Sequence, residues 1–178
     1  MKMAAKPDAQ SAPPPARSEP SATVGRPEPA INIKEILVPV DFSPCSKKAL
    51  AYAVAFARQF KATVTLLYVV DLQIAGADMD IDLPQARNSL RLGGERQLGK
   101  LARETIGRQA VADTLVRTGQ PFAEIVEAAR ARKVDLIIMA THGYSAISRF
   151  FIGSTTERVV RHASCPVLIV REREREFV

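Results

Sequence analysis

The sequence predicts an α/β chain: a doubly wound, five-stranded parallel sheet with helices on both faces. Three observations predict it. Short, near-continuous apolar runs such as Thr63 to Val70 recur along the chain, as strands covered on both faces do. Between those runs apolar residues repeat at helical spacing, and the two patterns alternate instead of clustering by type. Ser43-Pro44, Pro84, Pro121 and Ser154 each stand where a helix should begin.

Each element follows in order. Residues 1–31 hold most of the prolines with little that could form a core, so they are expected to be a disordered tail. Ile33 to Val40 reads as a buried strand, and Ser43 as the N-cap of a helix with Pro44 at its first position. Ala49, Leu50, Ala53, Val54 and Ala57 line one face of that helix. Thr63 to Val70 is the second strand, followed by an acidic stretch from Asp71 to Asp82, which lacks the downstream glycine and glutamate of a calcium loop and reads as a solvated lid or linker. Pro84 opens a long polar helix to about Arg108. Gly93, Gly94 and Gly99 weaken it, so it is expected on the surface. Ala110 to Arg117 is the third strand, and Pro121 starts a helix with Phe122, Ile125, Val126 and Ala129 as its core stripe. Val134 to Ala140 is the fourth strand, Ser154 to His162 a helix, and Pro166 to Arg171 the fifth strand. The domain is expected over residues 32–172, with a charged tail at 173–178.

Composition excludes several classes. At 178 residues and 47% apolar, the chain suffices for one full core. No run of about 18 uncharged apolar residues could span a bilayer, and no secretory pattern opens the chain, so a soluble, cytoplasmic protein without a membrane role is expected. The formal charge of +6 is dispersed, and Arg171 to Glu176 alternates in sign; no specific nucleic-acid partner is expected. Cys45 and Cys165 fit neither a metal pattern nor a disulfide framework and read as reduced, structural thiols.

Doubly wound sheets bind ligands beyond the carboxyl ends of their strands where the strand order reverses, which directs attention to the loops after the first and fourth strands. After the first comes Asp41, whose carboxylate could meet ribose hydroxyls or a divalent ion, or could simply shape the turn. After the fourth comes Ala140-Thr141-His142-Gly143, then Gly153-Ser154-Thr155-Thr156-Glu157. Ser154 with Glu157 three residues on fits a capping box, and the same helix start could present amides to an anion. A helix end contributes only about 0.3–1 kcal/mol, whereas micromolar binding needs about 8 kcal/mol. Several charge-assisted hydrogen bonds at Gly143, Gly153, Ser154 and Thr155, plus an apolar slot for a base, would be required. His142 has no partner motif and reads as a loop hydrogen-bonding residue; His162 belongs to a helix C-terminus. Neither G-x-x-x-x-G-K-[ST] nor a G-x-G-x-x-G after the first strand is present, so Walker-type and dinucleotide sites are not expected.

Three separated segments carry a resemblance. Val38-Pro39-Val40-Asp41-Phe42-Ser43, the stretch from Met139 to Ser154, and Arg161-His162-Ala163-Ser164-Cys165-Pro166 followed by Val167 to Val170 resemble the universal stress protein family. That resemblance implies a Rossmann-like fold of the adenine nucleotide alpha hydrolase type, binding ATP with Mg2+ or Mn2+. By position, Gly143, Gly153 and Ser154 match phosphate-binding residues of the family's Gly-x2-Gly-x9-Gly-Ser motif, with Ala140 in place of its first glycine. Asp41 resembles the residue near ribose and metal, and Val69 the one whose backbone meets adenine. If a left-handed backbone is needed at Ala140, the methyl costs about 1–2 kcal/mol; if only smallness is needed, it fits. Tyr144 stands near where relatives often carry a basic residue. The resemblance further implies a homodimer through the last strand and a stress-response sensor, not an enzyme, with at most slow ATP hydrolysis. The competing expectation is a nucleotide-free dimeric scaffold of the same fold.

Overall fold

The computed structural model describes residues 31–71, 83–105, 112–141 and 153–171. The compact unit that carries the sheet begins at Asn32. Its elements are β1 (Glu35–Pro39), α1 (Pro44–Phe60), β2 (Thr63–Val70), α2 (Leu83–Thr105), β3 (Ala112–Thr118), α3 (Pro121–Ala131), β4 (Leu136–Ala140), α4 (Ser154–His162) and β5 (Val167–Val170). The strands form one sheet in the order β3-β2-β1-β4-β5 with every neighbour parallel. The order reverses between β1 and β4, where Leu37 pairs with Ile137.

Alternation along the strands divides the core into two layers. Ile36, Val38, Val64, Leu66 and Ile138 pack with Ala49, Leu50 and Ala53 of α1 and Leu98 of α2. Their neighbours Leu37, Leu67, Ile137 and Met139 face the other way, onto Ile125, Ala128 and Ala129 of α3 and Val159 of α4. Burial on both sides explains why β1, β2 and β4 read as apolar runs.

Strand starts depart from the apolar pattern for identifiable reasons. The amides of both Lys34 and Glu35 donate to Asp135 Oδ2, at 2.8 and 3.0 Å. Successive amides of an extended strand point to opposite sides, so their convergence on one oxygen places the start of β1 at Glu35 and leaves Ile33 outside it. These bonds, Lys34 first, hold the Asp135 carboxyl below its ordinary value. A depressed folded-state pKa gives stability that is present above the unfolded value of about 3.9 and is lost as pH falls through the folded one. Asp135→Asn is therefore expected to flatten the fall in urea midpoint below about pH 4. An unchanged acid slope would contradict this role.

Arg132, just past α3, ties the same end of the sheet together. Its Nε lies 3.0 Å from Glu35 Oε1 and its guanidinium 2.9 Å from Asp113, while Thr65 Oγ1 donates to Glu35 Oε1 at 2.7 Å. The hydrogen bond to Glu35 raises the Arg132 pKa above its ordinary value. This charged cluster joins β1, β2 and β3 at their amino ends, opposite the rim where ligands are expected.

The long helix α2 corrects the surface expectation. Leu98 is fully buried and Leu101 nearly so, and Gly94 is buried against β2. A Cβ built on Gly94 would stand 2.5 and 2.7 Å from two ring carbons of Tyr68. This glycine marks a close approach, while Gly93 beside it has nothing within 4 Å of its Cβ position. Opposite effects are expected from the two. Gly94→Val should destabilise by about 1–3 kcal/mol through overpacking, and Gly93→Ala should stabilise by about 0.5–1 kcal/mol through backbone entropy. Urea denaturation of both variants checks the pair.

Candidate functional site

The carboxyl-end rim is built first by the turn after β1. Asp41 Oδ1 accepts hydrogen bonds from the Ser43 amide at 3.1 Å and the Ser43 hydroxyl at 2.6 Å. Ser43 Oγ in turn accepts from the Ser46 amide at 3.1 Å, capping α1 with Pro44 in the first turn, as its sequence signal predicts. Phe42, between them, has φ 65. For a bulky side chain this left-handed backbone costs about 1–2 kcal/mol, and the ring's contact with Tyr68, centroids 4.8 Å apart, helps to hold it. One oxygen of Asp41 thus shapes the turn. Among the described residues no three His, Cys, Asp or Glu side chains gather as a metal site, so the donor set at Asp41 fits a magnesium ion only when a polyphosphate supplies further oxygens.

Val69 lies near the end of β2. The amide of Val40 donates to Leu67 O at 2.8 Å, so the Leu67 carbonyl points toward β1. Two residues on, the Val69 amide and carbonyl point the same way. The β1–β2 register ends at Pro39–Leu67, so the Val69 backbone faces the side from which β1 has departed.

The end of β4 places the third part. Ala140 is the last residue of β4 and is not among the residues of positive φ, so no left-handed penalty attaches to its methyl. That methyl is buried in the layer under α1. The Thr141 amide donates to Val170 O at 3.0 Å, and the Gly153 amide donates to Thr141 O at 2.9 Å. Gly153 is therefore held directly against Thr141. His142 and Gly143, with Tyr144 and Arg149, lie outside the described residues.

At the start of α4 the structure corrects the capping box. Gly153, at φ −58 and ψ 146, is the N-cap, and as a glycine it supplies no capping side chain. Ser154 is the first helical residue; the Glu157 amide donates to Gly153 O at 3.0 Å, and the Glu157 carboxylate pairs with Arg161 at 2.7 Å. Moving the cap back by one residue puts Glu157 a position too far along to reach the cap amide. The φ of Gly153 is open to any residue; what glycine does here is withhold the N-cap side chain that would otherwise bond a first-turn amide. Ser154 is exposed and Thr155 half-buried.

Thr156, which the sequence did not single out, orients the helix. Its buried hydroxyl donates to Ala140 O at 3.0 Å and lies 3.3 Å from Thr141 O. This clip holds the first turn of α4 against the end of β4. Its sequence signal was a third hydroxyl residue following the glycine, indistinguishable there from ordinary first-turn composition.

Because β2, β1 and β4 are consecutive in the sheet, these groups follow one another along one rim, the Asp41 turn leading to α1 on one face and α4 packing on the other. Along the rim come the Val69 backbone, the Asp41 turn, the end of β4 and then the mouth of α4, with neighbouring strands about 4.8 Å apart. Remaining candidates fall elsewhere. His162 Nδ1 donates to Arg158 O at 2.8 Å within α4. Cys45 Sγ lies 3.9 Å from Val170 O, and burial raises the Cys165 thiol pKa. A groove of about 450 Å³ lined by Phe122, Val126, Arg130 and His162 shares no residue with the rim.

Comparison with known proteins places this geometry in context. The chain matches the model of the universal stress protein family over residues 32–171. It is 34% identical to universal stress protein MJ0531 of Methanocaldococcus jannaschii over 144 residues, 80% of this chain and 85% of that protein. Its fold resembles the solved structure of hypothetical protein MJ0577 of the same organism at a TM-score of 0.72 and 28% identity, covering 82% of this chain and 100% of that one. The fold is also that of the universal stress protein At3g01520 of Arabidopsis thaliana, solved with AMP bound, at a TM-score of 0.58, 19% identity, and coverage of 79% and 92%.

Proposed function

Because the chain belongs to the universal stress protein family, we propose that it binds ATP along this rim and reports nucleotide occupancy as a stress-response module. The linear order of the three groups carries the reading. A nucleotide is itself linear: its base would meet the Val69 backbone, its ribose hydroxyls the Asp41 turn, and its phosphates the amides of Ser154, Thr155 and Thr156. A relative of the same fold holding AMP supports the adenine end of this assignment.

Energetics favour several weak contacts over one strong one. The α4 dipole alone supplies about 0.3–1 kcal/mol, far short of the roughly 8 kcal/mol of micromolar affinity. Two or three amide bonds to charged oxygens, at about 1.5–3 kcal/mol each, with burial of the base, reach that scale. Magnesium would bind through Asp41 and the phosphates, lowering the charge that the helix mouth must meet. Occupancy rather than turnover is the output in this reading, with hydrolysis at most slow.

The same proposal includes a homodimer. β5 pairs with β4 and ends the strand order, and Val167, Leu168 and Ile169 are only half-buried in the single chain. An apolar edge strand of this kind is a hazard unless another strand covers it. The test of the function is the nucleotide content of the purified protein. Heat denaturation should release adenine nucleotide, and adding ATP with magnesium should raise the melting temperature of the emptied protein. An empty supernatant with no thermal shift would leave the nucleotide-free scaffold as the better description.

A further inference from the structure

We propose that Phe42 is a positioning residue for the ribose of the bound nucleotide, acting through the Asp41 carboxylate; the inference rests on the nucleotide reading above. Three observations meet at this residue. Phe42 takes a left-handed backbone, φ 65, that a bulky side chain avoids unless its surroundings enforce it. The turn so formed is the one in which Asp41 Oδ1 receives both the amide and the hydroxyl of Ser43. An extended Phe42 would carry Ser43 away from that oxygen and release the carboxylate.

The ring explains what enforces the backbone. It packs against Tyr68 at 4.8 Å between centroids, with the planes tilted by 46°. Tyr68 is itself held close to α2: a Cβ built on Gly94 would lie only 2.5 Å from its ring. Tyr68 thus meets both α2 at Gly94 and the Phe42 ring beside the Asp41 turn. Glycine or asparagine would take the same backbone angle with less strain, but neither would lock the turn to the sheet.

A residue that merely fills space would affect all ligands alike, whereas a residue acting through Asp41 affects only ligands with ribose hydroxyls. Phe42→Ala is expected to weaken binding of magnesium-ATP about tenfold, as loss of one well-placed hydrogen bond does. Its effect on 2′,3′-dideoxy-ATP should stay within about twofold, and in an Asp41→Ala background the same change should add nothing further. Phe42→Tyr should restore ATP affinity. Titrations are run at a temperature where every variant remains folded; if Phe42→Ala does not fold, Phe42→Leu takes its place in each comparison. Equal losses for both nucleotides, or losses that add across the Asp41 pair, would overturn the positioning role. Absence of binding of either nucleotide to the unsubstituted protein would instead overturn the nucleotide reading, and this inference with it.

Discussion

Ser154→Asp is expected to weaken ATP binding by at least about 100-fold while leaving the melting temperature of the empty protein unchanged or slightly higher. Both signs follow from the first position of α4. Ser154 is exposed in a first turn whose N-cap is a glycine, where a carboxylate complements the helix dipole by about 0.3–1 kcal/mol. The same carboxylate would occupy the amides that a phosphate needs and repel it. Two unit charges 4 Å apart interact by about 4 kcal/mol at an effective dielectric of 20, and about 3 kcal/mol suffices for a 100-fold loss. Ser154→Ala, which removes a hydroxyl without adding charge, should cost about tenfold or less. Calorimetric titration with thermal melting separates the two effects. An aspartate variant that binds ATP normally would mean that the phosphates lie elsewhere.

The largest stability effect is expected at Leu98. This residue is fully buried in the layer beneath α1 and α2, so Leu98→Ala should destabilise by about 2–5 kcal/mol, the spread depending on how far the cavity collapses. Leu92, on the same helix and 40% exposed, should change stability by less than about 0.5 kcal/mol when cut to alanine. Urea midpoints of the two variants decide whether α2 belongs to the core. Similar small changes at both positions would mean that the helix is only loosely attached.

That contrast also marks where sequence reading reaches and where it stops. The alternation of apolar runs and helical periods predicts in order the nine elements found among the described residues, because burial on both faces leaves the central strands nearly unbroken. Ser43-Pro44 identifies the start of α1 because the cap bond is made within three residues. Features set by contact between distant segments were not legible. Gly94 reads locally as a helix breaker, and only the Tyr68 ring beside it shows that a missing side chain is what lets α2 approach β2. Phe42 is itself a residue that avoids a left-handed backbone; the Asp41–Ser43 bonds around it and the Tyr68 ring beside it accompany that conformation.

The candidate site divides in the same way. Asp41 is spelled identically whether it shapes a turn or meets a ribose, and the structure assigns one oxygen to the turn. Val69 rests on a resemblance; the strand's own alternation adds only that its backbone faces the side β1 has left. The Ser-Thr-Thr-Glu pattern matches a capping box, yet the helix begins one residue earlier and Glu157 turns to Arg161. A sequence pattern fixes which residues could cap; the geometry of the preceding strand end fixes which one does.

The most direct measurement is an amide-resolved NMR titration of the uniformly 15N-labelled protein with magnesium-ATP. Phosphates at the mouth of α4 and a base beside β2 predict saturable shifts at the amides of Ser154, Thr155 and Thr156 and at Val69, with one shared dissociation constant. Saturable shifts confined to other parts of the chain, with these four amides unmoved, would contradict that placement of the nucleotide.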